Sequence, residues 1–181
     1  MCENLAHLAA DRDASMDPTD GVHTAESGTM TVGIISDTHG LLREEAVEAL
    51  RGSELILHAG DVGTPDVLDR LRGMAPTIAV RGNVDTAPWA TRLPITREVE
   101  VGALRVFMLH DLSSLALDPK AAGFAAVISG HTHRPRADVR DGVLYLNPGS
   151  AGPRRFTLPL AVAKLQIDGA RLVHEIVELK V

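Results

Sequence analysis

Five short apolar runs, each closing on a residue able to bind a metal ion, constrain the fold of this chain more than any other feature. Residues 32–36 lead into Asp37, 55–60 into Asp61, 77–82 into Asn83, 106–109 into His110 and 126–130 into His131. Runs of this length, rich in β-branched residues and stopped by glycine or a polar side chain, read as buried strands. In open α/β sheets ligands collect beyond the carboxyl ends of the strands, so Asp37, His39, Asp61, Asn83, His110, His131 and His133 are expected on one rim. Carboxylate, amide and imidazole donors gathered in this way suit a pair of borderline divalent ions.

After the first run, Leu42, Ala46, Ala49 and Leu50 keep a helical apolar spacing while Arg43, Glu44, Glu45 and Glu48 face water. Thr64-Pro65-Asp66 then offers a hydroxyl cap, a proline at the first helical position and an early acid before Val67, Leu68 and Leu71. Alternation of strand and helix implies parallel pairing with right-handed crossovers. Beyond Asn83 the pattern becomes strand, turn, strand: residues 97–101 with 104–109 around Gly102, 137–140 with 143–146 around Asp141-Gly142, and 160–167 with 172–179 around Asp168-Gly169. A short helix is expected over 115–122. A parallel half followed by a hairpin-rich half predicts an α/β fold, a four-layer α/β/β/α sandwich of two mixed sheets flanked by helices.

At 181 residues and 45% hydrophobic content the chain suffices for one well-buried domain, placed at residues 30–181. Residues 1–29 hold Asp11, Asp13, Asp17, Asp20 and Glu26 among small polar types and are expected to form a mobile leader, with His7 and His23 solvated. A net charge of -6 and 18 scattered Lys and Arg argue against stable binding of duplex nucleic acid. The single cysteine, Cys2, excludes intrachain disulfides and thiolate zinc clusters. No apolar stretch approaches the roughly 18 residues that span a bilayer, and the leader lacks the apolar core of a signal peptide. Neither membrane contact nor export is expected, and a reducing cytoplasm fits.

Asp37-Thr38-His39, Gly60-Asp61, Gly82-Asn83-Val84-Asp85, His110 and Gly130-His131-Thr132-His133 resemble, in order and spacing, the five blocks of the calcineurin-like metallophosphoesterase superfamily. The resemblance covers about residues 31–181, and Asn147-Pro148-Gly149-Ser150 behind the His-x-His block is similar to its small bacterial and archaeal phosphodiesterase branch, whose fold the retromer subunit Vps29 shares. It implies one ion held by Asp37, His39 and His133, a second by Asn83, His110 and His131, and Asp61 bridging both. It further implies a phosphodiesterase in which a hydroxide shared by the two ions attacks phosphorus, with a small phosphate ester as substrate. Manganese is the expected metal, with Ni, Co, Zn, Fe or Mg as alternatives, and a homo-oligomer is left open.

Arg81 resembles an arginine that contacts phosphate, the alternative being a surface arginine at a strand end; Asp85 resembles a carboxylate that orients an imidazole, or is an ordinary turn residue. His58, inside an apolar run, reads as a core histidine bonded to backbone. Arg154 and Arg155 read as a solvated pair, although either could reach a substrate phosphate. Two departures from the superfamily pattern matter. Val84 stands where many relatives carry a histidine general acid, which favours esters with good leaving groups. Asp111 stands where many carry glycine, and an extra carboxylate there would tighten metal binding or repel a dianionic monoester. The alternative functions are a catalytically silent, Vps29-like interaction module and a nuclease acting on short oligonucleotides.

Overall fold

The computed structural model describes residues 28–181, so the expected leader, with Cys2, His7 and His23, lies almost wholly outside the described residues. Ten strands and two α-helices follow in the order β1 Met30–Ile35, α1 Glu44–Leu50, β2 Leu55–His58, α2 Pro65–Arg72, β3 Thr77–Ala79, β4 Thr96–Val101, β5 Leu104–Leu109, β6 Ala126–Ile128, β7 Arg136–Arg140, β8 Val143–Asn147, β9 Ala161–Asp168 and β10 Arg171–Glu178. They form two mixed sheets of five strands, ordered β10-β9-β1-β2-β3 and β4-β5-β6-β8-β7.

Register explains why the candidate ligands share a rim. In the first sheet β1, β2 and β3 run parallel with Ile35 opposite His58 and His58 opposite Ala79, so the chain leaves all three strands at one level. In the second, β5, β6 and β8 run parallel with Met108 opposite Ile128 and Ile128 opposite Leu146, which delivers His110 and His131 to the end of their own sheet together. The three expected hairpins form as antiparallel pairs β4/β5, β7/β8 and β9/β10.

Alternation along each strand assigns the core. Val32, Ile34, Leu55 and Leu57 meet Val106, Met108, Ile128 and Leu146 between the sheets. Ile35 and Ile56 point the other way, onto Ala46 and Leu50 of α1 and Val67, Leu68 and Leu71 of α2. A strand buried on both faces must be apolar throughout, which is why its sequence lacks the alternation of a half-exposed strand. Each such aliphatic side chain contributes about 1.5–3 kcal/mol through burial.

Two local expectations are corrected. Residues 115–122 do not form a helix: Asp118 Oδ1 accepts the N–H groups of Lys120 and Ala121, and Gly123 at φ 77° ends the coil after one turn. Leu112, Leu115, Leu117 and Ala122 of this irregular segment still cover Phe107, Leu109, Val127 and Val143. The outer layer of the second sheet is therefore a packed loop, and the described α-helices lie against the first sheet. Pro65 opens α2 as expected, but Thr64 makes no side-chain capping bond. No helix among the described residues is long and apolar enough to cross a membrane.

Candidate metal centre

A chain of short contacts joins all seven candidate ligands. His133 Nε2 lies 3.2 Å from both Asp37 Oδ1 and His39 Nε2, and His39 Nε2 lies 3.9 Å from Asp61 Oδ2. The same Asp61 oxygen is 3.2 Å from His110 Nε2, which is 3.1 Å from Asn83 Oδ1, which in turn is 3.0 Å from His131 Nδ1. Asp61 occupies the middle, facing His39 from one set and His110 from the other. Two triads, Asp37-His39-His133 and Asp37-Asp61-His110, each bring their donor atoms within 4.8 Å of one another.

The donors fit divalent cations on a second ground. Among the described residues no hydrogen bond reaches Asp37 Oδ1 or His133 Nδ1, although both atoms are buried. A buried carboxylate oxygen without a partner is costly, and ring nitrogens facing it through lone pairs make a cation the natural partner.

The backbone is strained where the donors are aimed. Asp37, His39, Asp61, His131 and His133 have φ of 55°, 48°, 54°, 69° and 58°, in the left-handed region. Aspartate and histidine tolerate this better than most residues, yet each such conformation costs on the order of 1 kcal/mol and persists only where the surroundings enforce it. Two glycines allow the enforcing contacts. A Cβ on Gly82 would strike Asp61 N and Oδ1, and one on Gly130 would strike Ser36 Oγ and Asp37 Oδ2.

Around the donors lies a layer of side chains that hold backbone. Asp85, read as a ring-orienting group or a turn carboxylate, accepts the backbone N–H groups of Gly82 at 2.9 Å, Val62 at 3.1 Å and Gly63 at 2.8 Å, tying the Asp61 loop to the Asn83 loop. His58 is the core histidine expected. Its Nδ1 accepts the Gly60 N–H at 3.2 Å, so Nε2 carries the hydrogen and donates to Thr38 Oγ1 at 2.9 Å, which donates to the Val62 carbonyl. Ser150 Oγ donates to the Asp37 carbonyl at 2.9 Å, and Asn147 Nδ2 donates to Thr132 Oγ1 at 3.1 Å, beneath the His131 and His133 turn. Val84, in the position of the missing histidine, donates its backbone N–H to Asp61 Oδ1 at 3.0 Å. Of the arginine pair, Arg155 approaches the centre, with Nη2 3.4 Å from His39 Nε2. Thr38 lies inside the first sequence block, and Asn147 and Ser150 bound the Asn-Pro-Gly-Ser block, but neither block identifies the backbone groups and hydroxyls that these side chains hold.

Charge follows from this packing. Burial opposes protonation of His110, but hydrogen bonds to Asp61 and to the Ala59 carbonyl outweigh it and raise the pKa. Burial likewise works against ionisation of Asp61, and the bonds from His110 and the Val84 N–H reverse it, leaving the carboxyl below its usual range. Burial lowers the pKa of His39 against the pull of Asp61 and Asp37, which leaves a neutral imidazole able to donate a lone pair. Beside the Asn83, His110 and His131 group opens a cleft of about 630 Å³, lined also by Arg81, Ile95, Thr96, Asp111 and Ser114. Its size suits a small molecule.

Residues 30–170 match the family model of the calcineurin-like phosphoesterase superfamily domain. A probable metallophosphoesterase of Methanothermobacter thermautotrophicus is 38% identical over 160 residues, covering 82% of this chain and 92% of that protein. Among solved structures, an archaeal phosphodiesterase superposes with a TM-score of 0.69 at 26% identity, over 82% of this chain and all of the other. Vacuolar protein sorting 29 of Cryptosporidium parvum superposes at 0.73 with 21% identity, over 84% of this chain and 92% of the other, a likeness of fold.

Proposed function

The chain belongs to the calcineurin-like phosphoesterase superfamily, whose members support a metal-dependent phosphoesterase, and from that premise we propose a phosphodiesterase working with two divalent ions. Asp37, His39 and His133 would hold one ion, Asn83, His110 and His131 the other, and Asp61 both. The position of Asp61 Oδ2 between His39 and His110 is the observation that carries this reading. Two such ions, when bound, supply Lewis acidity to phosphoryl oxygens and lower the pKa of water toward neutrality.

The chain's own groups do the rest. Arg81 in the cleft wall and Arg155 beside His39 stand on opposite sets of donors, so a phosphate at the centre would find a guanidinium on either flank to orient its non-bridging oxygens. Val84 has no proton to give a departing alkoxide, and Asp111 keeps a carboxylate in the cleft. Both features favour diesters with good leaving groups over dianionic monoesters. Manganese heads our list of metals, but three oxygen donors beside four imidazoles suit Mn, Ni, Co, Zn or Fe alike, so availability decides which ion is held.

The test is to strip the protein with chelator, restore one divalent ion at a time, and compare hydrolysis of bis-p-nitrophenyl phosphate with its monoester and with cyclic nucleotides. Asn83→Ala and His110→Ala are each expected to lower diester turnover at least about a hundredfold, because one ion is lost from a two-ion clamp. Wild-type rates in both variants would overturn the assignment, and full metal binding without turnover of any ester would favour an interaction module.

A further inference from the structure

Three arginines within seven residues, Arg134, Arg136 and Arg140, border one concavity on the second sheet. Arg136, Asp138 and Arg140 alternate along β7 and therefore share a face, and the pairing of Asp138 with Tyr145 brings the ring of β8 onto that face beside them. Arg134 joins from the preceding loop, and Leu112 contributes from the packed segment that follows β5. Together they border a cavity of about 420 Å³.

Its chemistry is specific. The Arg140 guanidinium lies over the Tyr145 ring, 4.7 Å from the centroid, within cation–π range. Asp138 fixes the arginines, accepting from Arg136 Nε at 2.5 Å and Arg140 Nη2 at 3.4 Å. Three guanidinium groups against one carboxylate leave the concavity cationic, in a chain whose 24 acids outnumber its 18 Lys and Arg. Tyr145 is the only tyrosine the chain has. Because β7 is an edge strand, charges there discourage pairing with another sheet. That accounts for charge on the strand, but not for a cavity with an aromatic face and an arginine stacked on it.

We propose that this concavity binds a nucleoside phosphate. The phosphate would be gripped by Arg136 and Arg134, whose planar forks suit its oxygens, and the base would stack on the outer plane of the Arg140 guanidinium, which Tyr145 supports from beneath. The volume admits a mononucleotide and falls within the range of small-ligand sites. The site adjoins the metal centre through Thr132 and Asn147, which line it and are bonded to each other, yet it uses none of the candidate ligands. It stands independently of the phosphodiesterase reading.

Calorimetric titration of the full chain with AMP, adenosine and inorganic phosphate tests this, once with manganese present and once with chelator. AMP is expected to bind the chelated protein, with adenosine and phosphate each at least about tenfold weaker, because each retains only half of the recognition. Arg136→Ser with Arg140→Ser should weaken AMP at least about tenfold, and Tyr145→Leu should reduce AMP to the level of phosphate. Manganese affinity and unfolding temperature of these variants serve as the check on folding, and Arg134→Glu on the exposed loop repeats the charge test should the double variant fail it. The proposal falls if chelated protein does not bind AMP, if the arginine variants bind as wild type does, or if AMP binds no tighter than phosphate.

Discussion

Asp111 is positioned to bear on the charge of whatever enters the cleft it lines. Its carboxylate is locked by Ser113, whose N–H and hydroxyl donate at 2.9 and 2.8 Å, and those bonds hold its pKa below the usual range. A fixed negative charge thus lines the cleft, 4.0 Å from His131 Nε2. A monoester dianion carries one more charge than a diester, and repulsion in such a wet cleft is about 1 kcal/mol. Asp111→Asn should accordingly raise the monoester-to-diester ratio of kcat/KM about fivefold; an unchanged ratio would remove Asp111 from specificity. Gly82 acts by what it lacks. Gly82→Ala would drive a methyl into the Asp61 backbone, so it should lower stability by about 2 kcal/mol or more and weaken metal binding measured by calorimetry, while wild-type affinity would show that the loop gives way. That the seven candidate donors gather at one rim was legible because each sits at or just beyond the end of an apolar run. Asp85 stayed open between a ring-orienting group and a turn residue because the partners it takes, three backbone N–H groups, carry no side-chain signature.

At the scale of elements, the parallel β1-β2-β3 unit and the three hairpins could be read from apolar runs and Gly turns, because burial on both faces and turn chemistry leave distinct patterns. The 115–122 segment could not, since its Leu, Ala and Lys residues are good helix formers but the Asp118 and Gly123 turn confines the coil to one turn. His58 ties elements together in a way that pH can test. It sits at the end of β2, fully buried, and burial is the chief cause that pushes its pKa down to about 4 from 6.5. Below pH 6.5 the unfolded chain takes up a proton that the folded chain refuses, so stability should fall between pH 6.5 and 4, by about 3 kcal/mol in all, and be unaffected by this group above pH 6.5. Urea unfolding of chelated protein across that range should show a shallower decline for His58→Gln than for wild type, even though the variant starts less stable. Parallel declines would assign the acid sensitivity to other groups.

The molecule as a whole is two sheets whose facing sides share one core, and the candidate centre straddles their ends: Asp37, His39, Asp61 and Asn83 come from the first sheet, His110, His131 and His133 from the second. Ions held there would cross-link the sheets and bind only the folded chain. At a hundredfold excess over Kd each ion would stabilise by about 2.7 kcal/mol, which in a domain of this size raises Tm by roughly 5 to 10 °C. Chelation should therefore lower Tm by about two such steps in wild type and by about one in Asn83→Ala, which keeps the donors of the other ion. Acid should erode the effect. His110 holds its proton more tightly than an ordinary imidazole because of Asp61, so the proton competes with an ion from above pH 6.5 downward. Differential scanning calorimetry with and without chelator should give the largest gap near pH 8 and a shrinking one toward pH 6. A gap that does not vary with pH would show that no proton leaves His110 on metal binding, and equal gaps in wild type and Asn83→Ala would show that a single ion, not two, joins the sheets.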